Sequence, residues 1–104
     1  MLLIREIMYC KPGKVRPLVE KFKKMNVIGA KLGMPAMKVM TDLSAERFWT
    51  VVAEFEMKSL EEFERVFSGS FEGDPEAAKE MEAEMKGYHD LVDYGRREIY
   101  KLET

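Results

Sequence analysis

The sequence contains one histidine, His89, which is the first candidate for acid–base chemistry. It lies one helical turn from both Met85 and Val92, at the edge of an apolar stripe that predicts a helix. An imidazole in a cleft could act as a general base or ligate a haem iron. A histidine at a helix edge can equally pack its ring and bond a backbone carbonyl, and both interpretations stay open.

Two carboxylates, Glu54 and Glu56, lie on one face of a predicted strand, about 7 Å apart at two residues' spacing. If that face is internal, Glu54 could act as a catalytic acid or base. The alternative is an ion-pair layer at a dimer seam, in which these carboxylates meet basic side chains of other strands. The same two alternatives apply to Glu6 and Glu98. The candidate ion-pair partners are Arg5, Lys38, Arg96 and Arg97.

Aromatic and sulfur-containing side chains could line a ligand pocket. Tyr9 and Trp49 offer π surfaces that would suit a flat aromatic molecule or haem, although core or interface packing explains them as well. Met85 and Tyr88 lie on the stripe next to His89, and methionines let a pocket adapt to its contents. The predicted ligand-binding residues are Glu6, Tyr9, Trp49, Met85 and Tyr88.

Other kinds of chemistry have little support. The single cysteine and single histidine offer no pair at metal-ligand spacing, so we predict no metal site and no cofactor. The serines fall in turns or at helix ends without the context of a nucleophile elbow. The glycines are predicted to end helices rather than to form a phosphate-binding loop.

The first half of the chain predicts a strand, a helix and a strand. Apolar and aromatic residues predict the first strand over residues 2–11, which ends at Pro12-Gly13. An apolar stripe from Val15 to Leu32 then predicts a helix that Gly33 ends. A short strand is expected over residues 36–41.

The second half predicts a strand, a broken helix and a strand. The third strand, residues 47–57, has the strongest β propensity of the chain. Ser59 is predicted to cap the next helix with Glu62 as its capping-box partner. Glycines interrupt that helix, and Asp74 and Pro75 restart it. The interrupting glycines are Gly69 and Gly73, and Phe71 is a further candidate for the apolar side of the helix. Gly95 is expected to end the helix, and a last strand is expected over residues 96–102.

This order predicts an α+β, ferredoxin-like βαββαβ domain spanning residues 1–104, with a four-stranded antiparallel sheet and both helices on one face. Every predicted strand carries apolar residues on both alternate sets. The sheet face without helices must therefore be buried as well. A second copy of the chain is the simplest cover, so we expect a homodimer through the open sheet face.

Composition narrows the partners and the location. No apolar run approaches the roughly 20 residues of a membrane span, and the N-terminus becomes charged too early for a signal peptide. Seven basic residues between Lys11 and Lys31 could form a nucleic-acid patch, but no aromatics interleave them and the net charge is −2. We expect a cytoplasmic protein that binds neither nucleic acid nor membrane, and the lone Cys10 fits that location.

Four stretches together resemble the dimeric α/β-barrel superfamily and, within it, NIPSNAP-like domains. They are KPGK at residues 11–14, GMPAMKVMTDLS at 33–44, VVAEFEMKSLEEFERV at 51–66, and the tail from Gly73 to Leu102. The resemblance implies a barrel made by two chains, with a ligand cleft between the sheet and the helices of each protomer. It also implies relatives of diverse activity: cofactor-independent monooxygenases, haem-degrading enzymes, lactone isomerases, and members without assigned activity.

One departure from the superfamily bears on the reaction. The monooxygenase branch tends to have a tryptophan where the third strand ends and a histidine early in the next helix. Here the matching residues are Glu54 to Met57, and no histidine precedes His89. We therefore expect a protein that binds a small apolar or aromatic molecule, with a non-catalytic dimerisation module as the alternative. Monooxygenase or haem-degrading activity is a further alternative.

Overall fold

The computed structural model describes residues 1–68 and 73–104. Strand β1 (Leu2–Cys10) leads into helix α1 (Val15–Lys31), followed by strands β2 (Lys38–Thr41) and β3 (Thr50–Met57). Helices α2 (Leu60–Phe67) and α3 (Pro75–Met85), a 3-10 helix (Tyr88–Asp90) and strand β4 (Val92–Lys101) complete the chain. The strands form one antiparallel sheet in the order β2-β3-β1-β4. The α+β fold and the four-stranded antiparallel sheet are therefore confirmed.

The helices cover one face of this sheet. Alternate residues of β1 and β3 point towards them, and three clusters of buried side chains fill the space between. The largest cluster joins Met8, Leu18 and Val51, and the second joins Ile4 to Phe55 and Met57. The third holds α1 against α3 through Ile28, Ala77 and Met81.

The other face has no helix over it among the described residues, and we call it the open face. It carries the remaining alternate residues of the strands, namely Leu3, Arg5, Ile7, Tyr9, Lys38, Met40, Thr50, Val52, Glu54, Glu56, Tyr94, Arg96, Glu98 and Tyr100. Within one chain the sheet does not close on itself, because β2 and β4 are its edges. A closed barrel would thus require a second copy.

The helix starts in the second half follow the sequence prediction. Ser59 Oγ accepts a hydrogen bond from the Glu62 N–H at 3.2 Å, as predicted. The Glu62 carboxylate accepts one from the Lys58 N–H at 2.7 Å, one residue before the Ser59 N–H that a capping box uses. Asp74 accepts from the Glu76 N–H at 2.9 Å, with Pro75 in the first turn. The predictions for Gly69 and Phe71 lie outside the described residues.

The predicted end of the last helix is wrong. Helix α3 stops at Met85, and Gly87, with a φ of 78°, turns the chain into the 3-10 helix. Gly95 lies inside β4 rather than before it, so this strand begins at Val92 instead of residue 96. His89 consequently lies on a short 3-10 helix after α3 instead of on a long helix.

Strand β3 also begins later than predicted, at Thr50 rather than residue 47. Trp49 adopts a φ of 58°, in the left-handed region that a bulky residue rarely occupies. Three hydrogen bonds fix the turn around it: the Thr50 N–H donates to Asp42 Oδ1 at 2.8 Å, the Thr50 hydroxyl donates to the Arg47 carbonyl at 2.7 Å, and the Cys10 N–H donates to the Trp49 carbonyl at 2.8 Å. The strained backbone is thus held from both sides.

Candidate functional site

A cavity of about 530 Å³ opens between the sheet and the helices, within the range of about 300 to 1,000 Å³ that ligand pockets span. Helix α1 forms one wall, the end of α3 and the 3-10 helix form the other, and β1 with β4 forms the floor. We call this cavity the outer cleft. Four of the seven predicted site residues line it: Glu6, Met85, Tyr88 and His89.

The end of α3 and a strand glycine shape this cleft. Because α3 stops at Met85, the chain turns and presents Tyr88 and His89 to the floor rather than continuing over it. Gly95 stands opposite Met8 in the sheet and lines the cleft without a side chain. A Cβ at this position would lie only 3.1 Å from the Ile7 carbonyl oxygen, so the backbones approach closely here.

The acidic and basic side chains of the cleft walls are paired. Lys21 Nζ donates to the Glu84 carbonyl at 2.8 Å and the Lys86 carbonyl at 3.2 Å, and it lies 3.4 Å from Glu84 Oε2. These contacts match the three donors of an ammonium group. On the floor, the Arg97 Nε–H donates to the Glu6 carboxylate, and the Arg97 guanidinium lies 4.8 Å from the ring centre of Phe67.

His89 and Tyr88 are the polar groups of the cleft that stay available. Their ring centres lie 4.4 Å apart in a tilted contact, with His89 exposed and Tyr88 half-buried. Over residues 1–68 and 73–104, no side-chain hydrogen bond or ion pair engages the His89 imidazole or the Tyr88 hydroxyl. Both groups can donate or accept a hydrogen bond, so they can meet a polar substituent of a ligand.

A smaller cavity of about 80 Å³ lies deeper, and we call it the inner chamber. It shares five lining residues with the outer cleft: Glu6, Phe22, Met25, Phe67 and Met85. Its other walls are apolar apart from Asn26, and they include Gly29, Met34 and Met81. The Asn26 amide pairs with the Met37 backbone, donating at 2.9 Å and accepting at 2.8 Å.

The remaining predicted site residues lie elsewhere. Tyr9 and Glu54 project onto the open face, so the sheet separates them from His89. Trp49 is half-exposed in the turn before β3 and lines neither the outer cleft nor the inner chamber. The structure thus divides the predicted set into a cleft group and a group outside the cleft.

On the open face, Glu54 has the ion-pair partner that one sequence interpretation named. Arg5 Nε lies 3.2 Å from Glu54 Oε2, outside hydrogen-bond geometry. Tyr9 stacks on Tyr94 with ring centres 5.5 Å apart, and the Arg47 guanidinium lies 4.4 Å from the Tyr9 ring centre.

Two pKa shifts accompany the ion pairs of the open face. A hydrogen bond from Arg96 at 3.1 Å, and a second from the Tyr100 hydroxyl at 3.0 Å, lower the pKa of Glu98. The same contact raises the pKa of the Arg96 guanidinium. On the helix-covered face, burial and then the charge of Asp42 raise the pKa of the Cys10 thiol above 9.0.

Sequence reasoning missed three residues that shape the cleft: Gly95, Lys21 and Arg97. A glycine flanked by alternating strand residues is the available signal for Gly95, since it indicates close backbone approach. Lys21 belongs to a run of basic residues that looks like a solvated helix face, and nothing in its spacing marks it as a partner of Glu84. For Arg97 the sequence indicates only a possible ion pair with a strand carboxylate, and it does not place that pair in the cleft.

The described helices include none that is long and apolar enough to cross a membrane. Among residues 1–68 and 73–104, no group of three or more acidic, cysteine or histidine side chains is arranged to hold a metal ion.

Comparison with known proteins bears on the fold. No family model matches the sequence, and no curated protein matches it. An uncharacterised NIPSNAP-like domain protein from Burkholderia xenovorans superposes with a TM-score of 0.70 at 14% identity, over 97% of this chain and 84% of that chain. A NIPSNAP family protein from Agrobacterium tumefaciens gives a TM-score of 0.69 at 12% identity, over 96% of this chain and 90% of that chain.

A third similar structure is a dimeric protein of unknown function with a ferredoxin-like fold from Bacteroides fragilis. Its TM-score is 0.56 at 13% identity, over 97% of this chain and 96% of that chain. Identities at this level establish the fold and leave the activity open. The chain therefore has the fold of NIPSNAP-family domains, as the resemblance of its sequence predicted.

Proposed function

We propose that the protein binds a small apolar or aromatic molecule in the outer cleft. The observation that carries this proposal is the cavity of about 530 Å³ between sheet and helices, which Met85, Tyr88 and His89 line together. Phe22 and Met25 supply apolar surface on the α1 wall. His89 and Tyr88 orient a polar substituent, because their hydrogen-bonding groups are not used within the described chain.

Thermal denaturation with haem and with a set of flat aromatic compounds tests this proposal. A ligand that binds only the folded state raises the melting temperature. At a concentration one hundred times its dissociation constant it adds about 2.7 kcal/mol to the free energy of unfolding. Met85→Trp places a bulkier side chain on the wall that both cavities share and should abolish the shift, since Met85 is 44% exposed and borders both cavities.

Val27→Trp is the matched control, because Val27 is exposed on α1 and lines neither cavity. It should leave the shift unchanged. A compound series that stabilises the parent protein and the Met85→Trp variant equally would place binding outside the cleft and overturn the proposal. Glu54→Gln should also leave the shift unchanged, because Glu54 lies across the sheet from the cleft.

The proposed assembly is a homodimer through the open face. Its support is the apolar surface that a lone chain leaves there: Met40, Tyr94 and Tyr100 are exposed, and Val52 is half-buried at the centre. The structurally similar Bacteroides protein is described as dimeric. In such a dimer the two open faces pack together and complete the barrel.

Light scattering at micromolar concentration tests the dimer. Met40→Lys should shift the protein towards monomer, because an edge-strand lysine is compatible with the fold but not with an apolar interface. Val27→Lys places the same charge on α1 and should keep the dimer. A stable monomer for the parent protein would contradict the assembly.

A second candidate function is a non-catalytic dimerisation module. The pairing of Glu54 with Arg5 and of Glu98 with Arg96 favours it, because these carboxylates then serve the structure of the open face. A protein that dimerises while no compound protects it through the cleft would support this second function over ligand binding.

A further inference from the structure

The two cavities together point to one class of ligand for the proposed cleft. We infer that the site takes an elongated apolar molecule that carries a single uncharged hydroxyl or carbonyl group at one end. The apolar end enters the inner chamber, and the polar end meets His89 and Tyr88 in the outer cleft. This inference rests on the proposed function and specifies its ligand.

The inner chamber selects an apolar tail. Its lining is apolar except for Glu6, which Arg97 binds, and Asn26, whose amide is used by the Met37 backbone. A polar group that entered would lose its water without gaining a partner. The volume of about 80 Å³ is smaller than the roughly 150 Å³ of an apolar cavity that holds benzene, so a narrow alkyl end suits it better than a ring.

The shared wall lets one ligand occupy both spaces. Met25 and Met85 line the outer cleft and the inner chamber alike, as does Phe67. Methionine side chains are unbranched and adapt their shape, so a chain can pass between them at little cost. Met85 is exposed, so a ligand can reach this shared wall from solvent.

The charges of the outer cleft select an uncharged polar end. Lys21 is satisfied by Glu84 and the Lys86 carbonyl, and Glu6 and Arg97 neutralise each other. A carboxylate or ammonium ligand would have to break one of these pairs or lose water without gaining an oppositely charged side chain, and either costs free energy. A hydroxyl or carbonyl group needs only the hydrogen bonds that His89 and Tyr88 can make.

Isothermal titration with 1-octanol, octanoate and octylammonium tests the uncharged end, since the three probes share one tail. We expect the alcohol to bind at least about tenfold more tightly than either ion. Equal or tighter binding of an ion would overturn the inference.

A second arm tests the tail. Gly29→Ala adds a methyl group between Met34 and Met81, which line the inner chamber. It should weaken 1-octanol binding severalfold and leave the affinity of a flat aromatic compound in the outer cleft unchanged. Unaltered octanol affinity would show that the tail does not enter the chamber and would refute this part.

The ligand class and the proposed function can be refuted separately. If aromatic compounds bind in a manner that Met85→Trp abolishes, while none of the octyl probes binds, the ligand class is wrong and the proposed function stands. If neither the aromatic compounds nor the octyl probes bind, both the ligand class and the proposed function are wrong.

Discussion

The substitution Gly29→Ala should stabilise the protein, although the glycine lies buried in its core. Gly29 lies in the last turn of α1, with a φ outside the left-handed region, so the backbone does not require a glycine there. Its position next to the inner chamber is what makes a larger residue acceptable. A Cβ would lie 3.4 Å from Met34 Cβ and 3.5 Å from Met81 Cε, close to ordinary van der Waals contact.

The expected gain follows from two contributions. Alanine is favoured over glycine by up to about 1 kcal/mol in a helix interior, and part of this preference applies in the last turn, where Gly29 lies. The added methyl group also buries apolar area, which contributes up to about 0.8 kcal/mol. Slight displacement of Met34 offsets part of the second contribution, so we expect a net gain of about 1 kcal/mol. For a domain of about 100 residues this raises the melting temperature by roughly 4 to 8 °C.

Urea denaturation measures the free energy of unfolding, and a neighbouring substitution provides the control. Ala30→Gly makes the reverse change at the next, exposed position of α1. It should cost up to about 1 kcal/mol through helix propensity alone, and it shares the last turn of α1 with Gly29. The sum of the two changes therefore isolates the contribution of burying the methyl group beside the chamber.

A loss of more than about 1 kcal/mol for Gly29→Ala, with Ala30→Gly behaving as expected, would refute the reasoning. It would mean that Met34 and Met81 cannot accommodate a methyl group. The inner chamber would then be too closely packed to admit a ligand tail, and the inference about the ligand would fall with it.

Three further outcomes are expected. Asn26→Ala should cost about 1 to 3 kcal/mol in urea denaturation, because it leaves the half-buried Met37 backbone N–H and carbonyl without their partner. Cys10 should react with a thiol reagent at neutral pH only when the protein is unfolded, since it is buried and its pKa is raised, and fast labelling of the native protein would contradict this. The pKa of Glu98 is lowered in the folded state, so its stabilising contribution is present above the ordinary value of about 4.5 and is lost as the pH falls through the lowered value. Acid titration should show a smaller loss for Glu98→Gln than for the parent protein.

The element order was predictable because the strands and helices have different apolar periods. Strand β3 concentrates β-branched and aromatic residues, and the apolar positions of α1 recur at helical spacing. Ser59 and Asp74 mark the two later helix starts through side-chain caps that the structure contains. Each of these signals is local, and each agrees with the fold as a whole.

The error at the end of α3 has a physical cause. Three residues after α3 continue its apolar pattern because they pack against the largest core cluster: Tyr88, Leu91 and Val92. The pattern therefore reports burial, which a 3-10 helix and the start of a strand satisfy equally well. The helical path ends at Lys86, whose backbone is extended, and the left-handed Gly87 then turns the chain. The identity of Gly87 alone does not distinguish it from Gly95.

The division of the predicted site could not be read from the sequence. Strand β1 is apolar on both alternate sets, so its sequence does not show which set faces the helices. The packing of Met8 and Cys10 against Leu18 decides the question, since it turns Tyr9 away from the cleft. Glu54 lies directly opposite Arg5 on the neighbouring strand, so both side chains project onto the open face.

Two consecutive residues of β4 serve opposite faces of the sheet. Arg97 points into the cleft and binds Glu6, whereas Arg96 points to the open face and binds Glu98. Because neighbouring strand residues project to opposite sides, most side chains serve one face alone, and Ile7 and Arg96 are the open-face residues that also border the cleft. By thermodynamic linkage, any effect of ligand on dimerisation must equal the effect of dimerisation on ligand affinity. We therefore expect both effects to be small, and a cleft ligand that strongly shifts the dimer equilibrium would require movement of β4 itself.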